Sequence, residues 1–390
     1  MSGARRAAAV AAPPVPKASE LASRVREEAR MLGFELIGVA RPEPSAHLRF
    51  YERWLAEGRH GGMAYLARPE AVARRADLRR TLATVRSVVV VAMGYHTEPD
   101  PDDPPDPTRG VIARYARGRD YHRVIKRRLL ALLERVAAHA RCPVAGRVYV
   151  DTGPLLEREL GQRAGLGWFG KNTMLIHPRR GSWHFLGALL LDLDLEPDPP
   201  FTADHCGNCS RCLDACPTGA LLGRDSSGAP VMDATRCISY LTIEHRGPIP
   251  SELRPAIGNR VYGCDICQEV CPFNSSKFVQ LTPERDYRAD WRDAPDRPGP
   301  STELPGTESP PLVELMRMTR EEWDVFSRGS AIRRVGYAGF KRNVAVAIGN
   351  WLAAVEEPPP EAVAALRNVL EEEEPLVREH AAWALGRAGG

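Results

Sequence analysis

No stretch of this 390-residue sequence approaches the ~20 consecutive apolar residues of a membrane-spanning helix, which excludes a helical membrane protein. Net charge is nearly absent as well. Lys and Arg number 53 and Asp and Glu 50, and a balance of +3 does not argue for a nucleic-acid partner. Cysteine is scarce outside one segment: eight of the nine fall between Cys206 and Cys271, and Cys142 stands apart as a small hydrophobe. Nor is an export signal expected. After Arg5 and Arg6 the leader is alanine-rich and broken by Pro13, Pro14 and Pro16, where a signal needs ~7–15 strongly apolar residues. Residues 1–18 therefore read as a disordered leader. A cytoplasmic chain is expected, whose clustered thiols hold metal rather than disulfides.

What the sequence does have is an alternation of apolar elements up to about residue 200. ELASRVREEARMLGFELIGVA (20–40) carries helical apolar spacing, stops at Gly33 and runs into a short strand. TVRSVVVVAMGY (84–95) is a continuous β-branched run, the pattern of a strand buried on both faces. A basic helix is predicted over DYHRVIKRRLLALLERVAAHA (120–140), then strand RVYVD (147–151) and helix PLLERELGQRAGL (154–166). Strands TMLI (173–176) and HFLGALLLDLDL (184–195) follow, so 19–200 reads as an α/β or α+β domain. The cysteine segment occupies 201–280 and a Pro-, Asp- and Arg-rich connector 281–330. In the remainder, 331–390, FKRNVAVAIGN (340–350) aligns with VREHAAWALGR (377–387) at an offset close to the period of helical-pair solenoids.

The cysteines carry the strongest signal. Cys206-x2-Cys209-x2-Cys212-x3-Cys216-Pro217 is the run of bacterial two-cluster ferredoxins, in which the fourth thiolate serves the other cluster. Cys264-x2-Cys267-x3-Cys271-Pro272 lacks one cysteine, and Cys237 is the only nearby thiol to complete it. The expected sets are Cys206, Cys209, Cys212 and Cys271 for one 4Fe–4S cluster, and Cys216, Cys237, Cys264 and Cys267 for the other. Two four-cysteine zinc sites are the competing interpretation.

Clusters conduct electrons without transforming a substrate, so an acceptor is expected in 19–200. Gly165-x-Gly167-x-x-Gly170 imitates a dinucleotide loop, but it follows a helix and enters a strand, the wrong context for one. Close backbone approach to another flat ligand stays open. Asp151 ends an apolar strand, where sheets present ligands. Buried against a large cofactor, its carboxyl would rise in pKa and donate a proton. A helix cap ahead of Pro154 accounts for it equally well. Between 114 and 128 the chain is basic: Arg114 to Arg119 suit phosphates, whereas Lys126 to Arg128 suit a solvated helix face. Arg333, Arg334, Lys341 and Arg342 form another patch suited to a polyanion backbone.

The succession YARGRDYH, VDTGPLLERELGQRAGLGWFGKNT, GSWHFLG, CGNCSRCLDACPTGA, RCISYLTIEHRG and NRVYGCDICQEVCPFN resembles that of the epoxyqueuosine reductase family over residues 20–275. The tail is similar to that of its longer members. The resemblance implies removal of the epoxide oxygen from epoxyqueuosine at the wobble position of tRNA. It implies cobalamin and two 4Fe–4S clusters as cofactors, an external electron donor, and a monomeric chain. It also implies an α+β fold with a nitroreductase-like cobalamin-binding domain, a ferredoxin-like two-cluster domain and HEAT-like α-helical repeats. Those repeats would bind tRNA through Arg333, Arg334, Lys341 and Arg342. Asp151 matches the family's aspartate and would be the proton donor. Lys171 and Asn172 fall in the cobalamin-domain segment, with Arg74, Arg114 and Tyr115 as further contacts to cobalamin or nucleotide. Thr152 and Gly153 stand where the family often has serine or alanine. A reductive dehalogenase pairs the same cofactors, but usually with an export signal and without tRNA-binding repeats. An electron carrier or zinc-bearing RNA-binding module without a catalytic centre is the remaining alternative.

Overall fold

Ser87–Gly94 is buried along its whole length and forms the strand around which the first half of the chain is arranged. The computed structural model describes residues 16–98, 106–291, 306–371 and 374–388, so all but the end of the expected leader lies outside the described residues. Four strands, β1 (Leu36–Ala40), β2 (Ser87–Gly94), β3 (Gly146–Tyr149) and β4 (His184–Leu191), form one sheet in the order β1-β2-β4-β3. Every neighbouring pair is antiparallel. Burial on both faces, expected from the valine run, is therefore met in an antiparallel sheet. On one face Val89, Val91 and Met93 pack with α1 (Ala18–Met31) and α2 (Tyr121–Ala140). On the other, Val88, Val90 and Ala92 meet Leu155, Leu160 and Leu166, around α3 (Glu157–Arg163).

Local chemistry explains where these elements begin and end. The Asp120 side chain accepts from the His122 amide and caps α2, which closes at Arg141 in a left-handed conformation. The helix expected over 154–166 contracts to α3, whose N-cap is Leu156 without a side-chain bond. Asp151 is therefore not a helix cap. Of the strand expected at 173–176 only Leu175–Ile176 forms, in a hairpin with Trp168–Phe169.

The cysteine segment consists of short helices, Arg211–Asp214, Ile238–Ile243 and Ile266–Glu269 among them, with a hairpin between Leu221–Arg224 and Pro230–Met232. Parallel pairing of Arg260–Tyr262 with Val111–Ile112 joins it to the sheet domain. The tail comprises α4 (Tyr337–Leu352), α5 (Pro360–Val369) and α6 (Pro375–Leu385). The two repeated segments lie in α4 and α6, which approach closely at Gly349. A side chain there would come within 2.9 Å of Ala384 and 2.6 Å of the Trp383 ring. Leu312, Leu315, Met316, Trp323 and Phe326 share this core, so the helical unit starts inside the expected connector. Among the described residues no helix is long and apolar enough to cross a membrane.

Two residues of the expected polyanion patch face inward. Lys341 is 2% exposed and Arg342 fully buried. The Arg342 guanidinium donates to the carbonyls of Leu241, His245 and Gly247 at 2.6–2.8 Å, which end the 238–243 helix and its following turn. Asn343 binds the Thr242 and Val261 carbonyls at 2.8 and 2.9 Å, and Lys341 donates to the carbonyls of Met316 and Met318. These cations satisfy buried carbonyls and cannot reach a polyanion. Their assignment to tRNA is corrected accordingly. Arg342→Met would strand three buried acceptors and should lower stability by roughly 3 kcal/mol in denaturant unfolding. A loss under ~0.5 kcal/mol, the size of an ordinary surface change, would contradict this structural role.

Candidate active site and cysteine centres

Beyond β3 the backbone turns sharply. Thr152 N–H bonds the Val150 carbonyl at 2.5 Å, and Asp151 adopts φ +56°, a left-handed conformation that costs a non-glycine residue about 1 kcal/mol. Gly153 makes room for the turn, since a Cβ there would lie 2.1 Å from the Tyr149 ring. This accounts for glycine where a serine or alanine is common in the resembling family.

The turn brings Asp151 to the first turn of α2. Its Oδ2 accepts from the Tyr121 hydroxyl at 2.8 Å and lies 3.5 Å from His122 Nε2. His122 Nδ1 is 2.7 Å from Asp120 Oδ1. Tyr121 is fixed by stacking on Phe185 of β4, ring centroids 4.2 Å apart. Burial works against a charged imidazole, but the bonds to Asp120 and Asp151 prevail and push His122 up to about 9. Burial likewise opposes ionisation of Asp151, yet the hydrogen bonds from His122 and Tyr121 hold its carboxyl below the ordinary value. Asp151 is thus held low and His122 high, so here the proton rests on His122. Asp151 keeps 67% of its side chain accessible, with Tyr65 and Tyr115 within electrostatic reach. It therefore lies in an open recess.

The thiols lie within electrostatic reach of one another. Burial first, then Cys206, Cys271 and Cys209, push Cys212 up to about 11. Burial, Cys264 and Cys237 raise Cys267, and Cys216 contributes to raising Cys237. Among the described residues no three His, Cys, Asp or Glu side chains are placed to hold a metal ion. Backbone Ala220 N–H approaches Cys216 Sγ at 3.3 Å, and Trp168 Nε1–H approaches Cys206 Sγ at 3.5 Å. Both contacts suit a charge-bearing sulfur.

Other expected site residues are dispersed. Lys171 Nζ donates to the carbonyls of Gly207 and Cys209 at 2.7 and 2.9 Å, and Asn172 to that of Cys267 at 3.1 Å. Both hold cysteine loops. Arg74 pairs with Glu70 on the surface. Arg114 is buried, its amide on Asp265 at 2.7 Å and its guanidinium over the Trp183 ring. Tyr115 is tied electrostatically to Asp151. Arg333 pairs with Asp324, and Arg334 with both oxygens of Glu244 at 2.9 Å while lying over Tyr65 at the recess. Sequence reasoning passed over Asp120, Tyr121 and His122, although an acid–aromatic–histidine triple at a helix start was the available signal.

Residues 75–152 match the family described as epoxyqueuosine reductase QueG, DUF1730, and residues 205–274 match the 4Fe-4S double cluster binding domain. An epoxyqueuosine reductase of Pseudomonas aeruginosa is 41% identical over 380 residues, covering 96% of each chain. The chain belongs to the epoxyqueuosine reductase family. The Escherichia coli K12 member is 37% identical, over 95% of this chain and 90% of its own. A crystal structure of an epoxyqueuosine reductase with an epoxyqueuosine-modified tRNA-Tyr stem loop superposes with TM-score 0.79 at 29% identity, covering 95% of this chain and 91% of that one. A Bacillus subtilis epoxyqueuosine reductase, its catalytic aspartate loop swung out of the active site, gives 0.77 at 28%, covering 94% and 90%. Membership of the epoxyqueuosine reductase family sets aside the dehalogenase and carrier alternatives.

Because folding raises His122 from 6.5 to about 9, its contribution to stability is full below pH 6.5 and fades as pH rises through about 9. NMR titration should place its imidazole midpoint near that upper value, and Asp151→Asn should lower it. A midpoint at the ordinary value in the unaltered protein would refute the charged pair.

Proposed function

We propose that the protein reduces epoxyqueuosine in tRNA to queuosine, with Asp151, His122 and Tyr121 handling protons and eight cysteines holding two 4Fe–4S clusters. The observation that carries this reading is Asp151, turned into an open recess and bonded to a protonated His122, in a chain that matches the epoxyqueuosine reductase family along nearly its full length. Removing an epoxide oxygen as water consumes protons as well as electrons. Asp151 is ionised at rest, takes a proton across the 3.5 Å contact from His122, and delivers it to the departing oxygen. Tyr121 orients the carboxylate and Asp120 fixes the imidazole from its other side.

Cys206, Cys209, Cys212 and Cys271 would hold one cluster, and Cys216, Cys237, Cys264 and Cys267 the other, as the crossed ferredoxin spacing requires. The recess suits a large ligand, since Asp151 stays open beside the aromatic side chains Tyr65 and Tyr115. Cobalamin bound there would have Tyr115 as a contact and would supply low-valent metal chemistry able to reduce a carbon–oxygen bond. An external reductant must feed the clusters. The tRNA would approach over the same recess, where Arg333 and Arg334 keep 55% and 51% of their side chains accessible. We read the sheet domain as nitroreductase-like, the tail as HEAT-like, and the chain as sufficient by itself as a monomer.

Reduced, cobalamin-loaded protein incubated with tRNA carrying epoxyqueuosine should yield queuosine on nucleoside analysis. No product from protein with full cluster and cobalamin absorbance would sink the proposal. Asp151→Asn should keep both absorbances yet slow turnover by about 10²–10⁴-fold, the range of a positioned proton donor.

A further inference from the structure

We propose that Glu157 is a proton-supplying residue that replenishes the Asp151–His122 pair. This rests on the epoxide-reducing reading of the site. The chemistry sets the requirement: an epoxide, two electrons and two protons give an alkene and one water, with both carbon–oxygen bonds broken. The electrons come from the external reductant through the clusters. His122 can release one proton through Asp151, and another must arrive while substrate covers the recess.

Glu157 stands on the first turn of α3, at the far end of the loop that Asp151 begins. Its Oε1 is buried without a hydrogen-bond partner. A carboxylate so placed would be a poorly compensated buried charge, whereas the protonated acid is tolerated. Burial, then the negative charge of Asp151, push its value up to about 8, against weaker opposition from its own backbone amide and then Arg158 and Arg75. Arg158 is engaged with the Thr173 carbonyl, and Arg75, on the helix Pro69–Ala76, with the Ala71 carbonyl and the Tyr51 ring. The strands packed on α3 bring one titratable side chain, His184, which burial keeps neutral with a value near 3. Two carboxyls whose surroundings drive them apart, Asp151 down and Glu157 up, divide into a base and an acid. Covering Asp151 with substrate strengthens the burial effect that already opposes its ionisation. That brings Asp151 closer to Glu157 and favours transfer.

Glu157→Gln preserves volume and a hydrogen-bond donor but carries no transferable proton. Single-turnover reduction of epoxyqueuosine-tRNA by the reduced holoenzyme should fall in the unaltered protein as pH rises through about 8. The variant should lose that limb, leaving the one set by His122 near 9, and run slower by on the order of 10²-fold with tRNA affinity unchanged. Glu157→Asp, which retains an acidic proton, should restore part of the rate. In the substrate-free protein, infrared difference spectra across pH about 8 should contain a protonated-carboxyl band that Glu157→Gln removes. An unchanged rate and pH profile in Glu157→Gln, or a band that survives the substitution, would overturn the proposal. Should the unaltered protein make no queuosine, the reading of the reaction fails instead, and the infrared band alone decides whether Glu157 stores a proton.

Discussion

A left-handed aspartate with two-thirds of its side chain open is not a conformation a loop adopts unaided, and at Asp151 the charged His122 is what holds it. The imidazole lies between Asp120 and Asp151, so neither nitrogen is left to water and neither carboxylate lacks a cation. Asp120 also caps α2, and Tyr121 stacks on β4 while bonding Asp151. The same three consecutive residues thus start a helix, attach it to the sheet and position the reactive turn. Displacing α2 on the sheet would move Tyr121, His122 and the Asp151 carboxylate they hold together.

The tail uses cations for the opposite purpose. Arg342, brought down to about 10 by burial and then by Arg246 and Arg254, still sits among carbonyls rather than carboxylates. A guanidinium has five donors in a fixed fork, enough to satisfy several carbonyls where a helix ends against another domain. With Asn343 and with Arg254 paired to Glu379, it binds the tail to the cysteine segment through backbone chemistry. Arg334, by contrast, stays at the rim, where its bidentate pairing with Glu244 sets its place beside Tyr65.

How much was legible in the sequence follows from how local each constraint is. Cluster ligation demands thiolates at short fixed spacings, so a cluster-binding segment could be read directly. Asp151 was legible as the end of an apolar strand, and the valine run as a doubly covered strand. The antiparallel pairing of that strand was not, because it depends on β4, nearly a hundred residues away. Lys171 and Asn172 stood out as a motif, but their partners are carbonyls on distant cysteine loops that no spacing rule names. Lys341 and Arg342 looked like surface because their charge was visible and their neighbours were not. His122 was hidden for the same reason: its value is set by Asp151 across a tertiary contact.

The path between the thiols and the recess is short and made of ordinary contacts. Asp265, between Cys264 and Cys267, accepts the Arg114 amide, and the next residue, Tyr115, meets Tyr121 edge-on with centroids 6.1 Å apart. Tyr262, which precedes Gly263 and Cys264, approaches Tyr115 at the same distance and bonds the Ala331 carbonyl of the tail. Cysteine segment, reactive turn and tail are therefore anchored on one aromatic cluster. Because Tyr121 belongs to it and also holds Asp151, the cysteine segment and the Asp151 turn are kept in register by packing. A substitution at Tyr115 or Tyr262 would disturb both, whereas one at the rim would disturb neither.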